Sequence, residues 1–228
     1  MSVRGVVAEK SVEAAGRPPA AEDEPAVLAF VRRHERALTW VAGAMLVAGA
    51  VGWWMFAARG RKERAAEQAL QQAQAALQGG DMAQGVSALT GVIDGFRGTL
   101  AAHQAVLVLN EVRLSEGQAA LAAQELGRYA PSAPPQFRAQ AFRLSGVAWE
   151  NTGDAARAAE AYSRAAESTQ GLLASRLLLD AARAYAAGGD SGSARGALER
   201  VLKDHADAPA AVEARVRLAE LKARGLRR

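Results

Sequence analysis

Four glycine turns recur after residue 65 at nearly constant spacing: Gly80-Asp81, Gly117-Gln118, Gly153-Asp154 and Gly189-Asp190, 37, 36 and 36 residues apart. Each follows an Ala/Leu-rich stretch with helical spacing of its apolar residues and precedes another. Glycine ends a helix in the left-handed conformation at little cost. The period therefore reads as a helix–turn–helix unit repeated four times, a pattern that calls for a stacked array of hairpins. Composition agrees: apolar residues make up 50%, with alanine the largest contributor, and aromatics only 5%. Close-packed helices use such a mixture; a β-sandwich does not.

The third unit carries the fullest pattern, from Phe142 through Gly146, Trp149, Gly153, Ala158 and Tyr162 to Ala165. It resembles the tetratricopeptide repeat. The resemblance implies that small residues such as Gly146 and Ala158 let two helices approach, while Trp149 and Tyr162 fill the space between them. The fourth unit keeps Leu178, Ala182, Tyr185, Gly189, Ala194, Leu198 and Val201. The second has Val106, Asn110, Arg113, Gly117, Ala122, Leu126 and Tyr129, and its polar Asn110 and Arg113 predict looser packing. The first, with Ala69, Ala73, Ala76, Gly80, Gly85, Leu89 and Val92, departs furthest. The period exceeds the family's usual 34 residues, so slightly longer helices or turns are expected. Beyond Pro209, residues 210–228 are expected to form a capping helix and tail. Val212, Val216, Ala219 and Leu221 should cover the last repeat, with Glu213, Arg215, Arg217, Glu220 and Lys222 facing water.

Residues 37–58, ALTWVAGAMLVAGAVGWWMFAA, carry no charge. As a helix they extend roughly 33 Å, about the hydrocarbon thickness of a bilayer. Trp40 lies near one end and Trp53 and Trp54 near the other, as in an aromatic belt. Arg36 and Arg59 flank the run and can reach the headgroups. The span reads as an uncleaved anchor, because its 36-residue leader is too long for a signal peptide and the apolar stretch continues past Ala48-Gly49-Ala50. Four basic residues on each side within 20 residues leave its orientation open. The organisation expected is a disordered tail (1–22), a short amphipathic helix (23–36), the span (37–58), a basic collar (59–64), repeats (65–209) and the cap (210–228).

The net charge of +4 is mostly this collar: residues 59–64 contribute four basic groups and one acidic, while residues 65–228 hold 18 against 17. That distribution disfavours nucleic acid as a partner, since a nucleic-acid binder concentrates basic residues on a folded face. The absence of cysteine excludes disulfides, thiolate metal sites and thiol nucleophiles. His34, His103 and His205 lie far apart, and no catalytic constellation, metal site or cofactor loop is recognised. A non-enzymatic, all-α reading follows.

In the tetratricopeptide resemblance the first helix of each unit lines a concave groove. Its positions fall on Gln104, Leu107 and Glu111, on Gln140, Arg143, Val147 and Glu150, and on Arg176, Leu179 and Arg183. Such a surface suits an extended or helical peptide, and its arginines suit a carboxylate.

The whole order, with Pro25-Ala-Val-Leu-Ala-Phe-Val-Arg-Arg-His running through the span to Trp53-Trp54, is similar to the ancillary subunit family of the bacterial SecYEG translocon. That resemblance implies a single-pass inner-membrane protein with its N-terminus in the cytoplasm and its repeats in the periplasm. The implied partners are the Sec translocon channel subunits, a membrane-anchored periplasmic prolyl-isomerase-like chaperone, newly translocated or unfolded proteins, and the lipid bilayer. A scaffold of another cell-envelope assembly machine, a cleaved secreted module and a cytosol-facing repeat domain remain the other readings.

Overall fold

The computed structural model describes residues 35–225, and every regular element among them is helical. We number these α1 (Glu35–Gln78), α2 (Met82–Gly95), α3 (Leu100–Ser115), α4 (Ala119–Tyr129), α5 (Pro135–Asn151), α6 (Ala155–Glu167), α7 (Gly171–Ala187), α8 (Ser191–Asp204) and α9 (Pro209–Gly225), with a 3-10 turn at Ala130–Ser132. The chain divides into two units, residues 1–55 and 56–228. The sequence-predicted tail and most of the amphipathic helix at 23–36 lie outside the described residues.

In the first unit, the described part of α1 is apolar and exposed: Trp40, Met45, Leu46, Trp53 and Trp54 all lie open. A soluble core helix would bury one face. α1 is the one helix among the described residues long and apolar enough to cross a membrane.

The second unit is the array. The C-terminal part of α1 pairs with α2, α3 with α4, α5 with α6 and α7 with α8, and α9 packs on α8 and α7. All four turn glycines, Gly80, Gly117, Gly153 and Gly189, take φ between +77° and +85°. In each turn two backbone N–H groups close onto the end of the preceding helix. In the third unit, for example, Gly153 N donates to Glu150 O and Asp154 N to Trp149 O, both at 2.9 Å. The orphan carbonyls of the helix end are satisfied this way. The next helix starts at once, because the Asp81, Asp154 and Asp190 carboxylates accept the N–H of Gln84, Arg157 and Ser193, each at 2.9 Å. Gln118, the one departure from Gly-Asp, makes no such side-chain bond.

The core is mostly alanine and leucine, with Tyr162 its largest fully buried side chain. Gly146 lies against the Tyr162 ring, and Ala158 is fully buried beside them. Gly85 plays the same part in the first hairpin, since a Cβ there would overlap Leu77. Trp149 is only half-buried; what covers its ring from the opposite helix, α6, is the Arg157 guanidinium, 3.6 Å from the ring centre. Tyr185 is also half-buried, with the Ser163 hydroxyl at 3.5 Å from its own.

The second hairpin makes fewer close backbone approaches than the third and fourth, and polar groups add to the apolar contacts of Leu107, Ala122 and Leu126. Asn110 is wholly buried; its amide donates to Val106 O at 2.8 Å and its carbonyl accepts from Arg113. Arg113 in turn pairs with Glu125 of α4, and His103 Nδ1 lies 3.1 Å from the Tyr129 hydroxyl.

One expectation is corrected, the buried face of α9. α9 buries Ala210, Ala211, Ala214 and Leu218, while Val212 and Val216 are 62% and 55% exposed. The reason is the 36-residue register. Ala174, Leu178 and Ala182 of α7 are buried, and their counterparts one period on are Ala210, Ala214 and Leu218. One period on from the buried Leu177, Ala181 and Ala184 of α7 stand Glu213, Arg217 and Glu220, two of which pair at 2.5 Å, so this side of α9 is polar. Beside these, two collar side chains bond to the α2–α3 turn and the start of α3. The Glu63 carboxylate accepts the N–H groups of Leu100 and Ala101, both at 3.1 Å, and Lys62 Nζ donates to Arg97 O at 2.9 Å.

Candidate functional site: the face of the first helices

The candidate groove residues sit on α3, α5 and α7, and the 36-residue register aligns them in rows. Gln104, Gln140 and Arg176 form one exposed row, which Val212 of α9 extends. Glu111, Val147 and Arg183 form a second, extended by Ala219, with Val147 half-buried against the core.

The third row is not a surface. Leu107 and Leu179 are 2% and 7% exposed and belong to the core, so they leave the candidate groove. Arg143, at the same register, is half-exposed. An aliphatic side chain at this boundary turns inward, whereas a guanidinium carries its charge outward along the same backbone direction.

Hydrogen bonds join the rows across successive units. Gln140 Nε2 donates to Glu111 Oε1 at 3.3 Å, linking α3 to α5. Arg183 Nη1 donates to Glu150 Oε1 at 2.6 Å, linking α5 to α7, and Arg183 also reaches Asp180 at 3.3 Å. Glu150 takes a further bond, at 2.7 Å, from the hydroxyl of Tyr162. Burial alone would lower the Arg183 pKa, but the bonds to Glu150 and Asp180 outweigh it and raise the value. Arg183 is therefore already paired. Arg143 and Arg176 have no hydrogen bond or ion pair among the described residues, and they are the cations left for a ligand carboxylate.

Sequence reasoning missed the C-terminal end of this face. An open cavity of about 490 Å³ lies between α7, α8 and α9, lined by Leu198, Val216 and Leu221 together with Arg183, Arg217, Glu213 and Glu220. Carrying the register one period beyond Arg176 and Asp180 would have placed Val212 and Val216 on this side.

Trp40, Trp53, Trp54 and Arg59 are exposed on α1; the side chain of Arg36 lies outside the described residues. No group of three metal-capable side chains occurs among the described residues.

Comparison with known proteins places the array. The model of the tetratricopeptide repeat-like domain matches residues 55–178. Two crystal structures of nearly identical TPR-like repeats, from a Podospora anserina protein assigned as a kinesin light chain, superpose with TM-scores of 0.54 and 0.55 at 19% identity, covering 73% of this chain and 89% of theirs. A tetratricopeptide repeat protein from Parabacteroides merdae gives 0.54 at 11% identity, over 71% of this chain and 61% of that one. These likenesses show the fold. No curated protein matches the chain.

Proposed function

Because the chain belongs to the tetratricopeptide repeat-like domain family, we propose that it is a non-catalytic, membrane-anchored scaffold that binds protein partners on the face of its first helices. The observation that carries this is the exposed row Gln104, Gln140 and Arg176, flanked by unpaired Arg143 and ending at the cavity beside Val216, whose lining is part apolar and part charged. A polypeptide laid across that face meets amide groups, the two free cations Arg143 and Arg176, and then a slot of mixed apolar and charged lining, which suits an extended or helical segment whose carboxylate meets those two arginines.

The anchor is α1: its uncharged run, residues 37–58, is about the length of a bilayer core, with Trp40 toward one end and Trp53-Trp54 toward the other. In the finer reading, based on the resemblance to the ancillary SecYEG subunit family, the N-terminus is cytoplasmic and the repeats are periplasmic. The scaffold then associates with the translocon channel and a membrane-anchored prolyl-isomerase-like chaperone, and passes newly translocated proteins to periplasmic chaperones. Anchoring raises the local concentration of the binding face near the channel.

The test is purification of the full-length protein in mild detergent after crosslinking in cells, with partners identified by mass spectrometry. Recovery of channel subunits with the isomerase-like chaperone supports the finer reading. Recovery of a different envelope machine keeps the anchored scaffold and discards the translocon.

A further inference from the structure

The turn between α2 and α3 stands level with the basic collar of α1, and the bonds that hold it there are long-range. Lys62 Nζ reaches Arg97 O across 35 residues of chain at 2.9 Å, and Glu63 takes the first two N–H groups of α3, those of Leu100 and Ala101, at 3.1 Å each. Lys62 is only four residues past Ala58, the last residue of the uncharged run, or about 6 Å along a helix axis. Arg59 precedes Lys62 and Glu63 by three and four residues and so shares their side of the helix. Leu100, beside Glu63, is half exposed.

Two features set this end apart from ordinary solvated surface. Its charge is one-sided: Arg59, Arg61, Lys62, Arg64 and Arg97 stand against Glu63 and Asp94; Glu63 is occupied in capping α3, and Asp94 pairs with Arg97 at 3.0 Å in a pair that lies open to solvent. The corresponding connections in the other units, residues 130–134, 168–170 and 205–208, contain no lysine or arginine. A basic turn occurs only in the unit that adjoins the apolar run.

We propose that the α2–α3 turn is a second contact with the bilayer, in which Arg97 and Lys62, with Arg59, meet the phosphates of anionic lipids while Leu100 enters the interface. This rests on the reading of residues 37–58 as a membrane span. Cations beside a half-exposed leucine suit the headgroup boundary, where the charge lies among phosphates and the aliphatic chain below them. The first repeat is then held to the membrane by its turn as well as by its helix.

The chain has no cysteine, so single cysteines can be labelled uniquely. The full-length protein with Leu100→Cys, Gln78→Cys or Val47→Cys is labelled with an environment-sensitive fluorophore. It is reconstituted in phosphatidylcholine vesicles with and without phosphatidylglycerol, containing lipids spin-labelled in the headgroup or the acyl chain. Gln78, 16 residues beyond Lys62 on the same helix, is the remote control. Headgroup quenching at position 100 should exceed that at position 78 by at least about twofold, rise with phosphatidylglycerol, and fall in an added Arg97→Glu background. Equal quenching at 100 and 78, with acyl-chain quenching at 47 intact, overturns the proposal and leaves the span standing. Loss of acyl-chain quenching at 47 overturns the span, and this contact with it.

Discussion

A Cβ on Gly146 would lie 2.6 Å from Cε1 of Tyr162, closer than packed carbons approach. The ring cannot swing away freely, because its hydroxyl is bonded to Glu150 at 2.7 Å. Gly146→Ala should therefore cost about 1–3 kcal/mol through overpacking, and Gly146→Leu more. In a unit this size each kcal/mol lowers the melting temperature by roughly 2–4 °C. Gly196 on α8 has nothing within 4 Å of a would-be Cβ, so Gly196→Ala should stabilise by about 0.5–1 kcal/mol. Thermal melts of the full-length variants check both signs. A Gly146→Ala melt equal to wild type would mean that the third hairpin is not interlocked at this point.

Glu63 holds the start of α3 from 37 residues away. Glu63→Ala should lose about 1–2 kcal/mol, the scale of a charged helix cap. The amides of Leu100 and Ala101 should also lose hydrogen-exchange protection before the rest of α3. Unchanged protection at those two amides would contradict the cap.

Asn110 is the buried polar centre of the second hairpin. Asn110→Ala leaves the Val106 carbonyl without its side-chain donor and Arg113 without one acceptor. A cost of about 1–3 kcal/mol is expected, read from chemical denaturation. A variant as stable as wild type would show that this hairpin does not depend on its polar bridge.

Stability should fall at both ends of the pH scale, for opposite reasons. The Asp154 carboxyl is held below its usual range by the Arg157 backbone N–H and then by its side chain, and that of Asp190 by Ser193. Their folded values lie below the unfolded ones. The stability they supply is complete above about pH 4 and is lost as pH falls through the folded values. Burial pushes Tyr129 up to about 12, and burial with the Glu150 bond raises Tyr162 as well. Those contributions are complete below about pH 10 and are lost as pH rises through the folded values. Melting temperature against pH should show both limbs, and the acid limb should flatten in the Asp154→Asn, Asp190→Asn double variant. An identical acid limb in that variant would remove these caps from the account.

What the sequence made legible is what repeats. The four turns were readable because each needs a residue that tolerates positive φ, and glycine marks it at a fixed period. The Gly146–Tyr162 contact was readable because a residue with no side chain faces a large one within one hairpin. The register of α9 was not readable locally, because Val212 and Val216 make as regular an apolar stripe as Ala210, Ala214 and Leu218. The neighbouring helix decides which stripe is buried. Leu107 and Leu179 were misplaced for a related reason: the backbone position lies at the groove boundary, and whether its side chain faces inward depends on being aliphatic or charged. Lys62 and Glu63 read as collar because their partners, 35 to 38 residues away, are invisible to any local pattern.

The proposed function requires that partners bind along the row of first helices. A photoreactive amino acid placed in cells at Gln104, Gln140 or Arg176, and as controls at Glu199 and Arg195 on the exposed side of α8, asks this directly. Crosslinked adducts should form from the three row positions and be absent from the controls. Charge reversal at Arg143, which has no internal partner to lose, should reduce them. Adducts equally strong from the α8 controls, or none from the row while the α8 controls react, would contradict a binding face on the first helices.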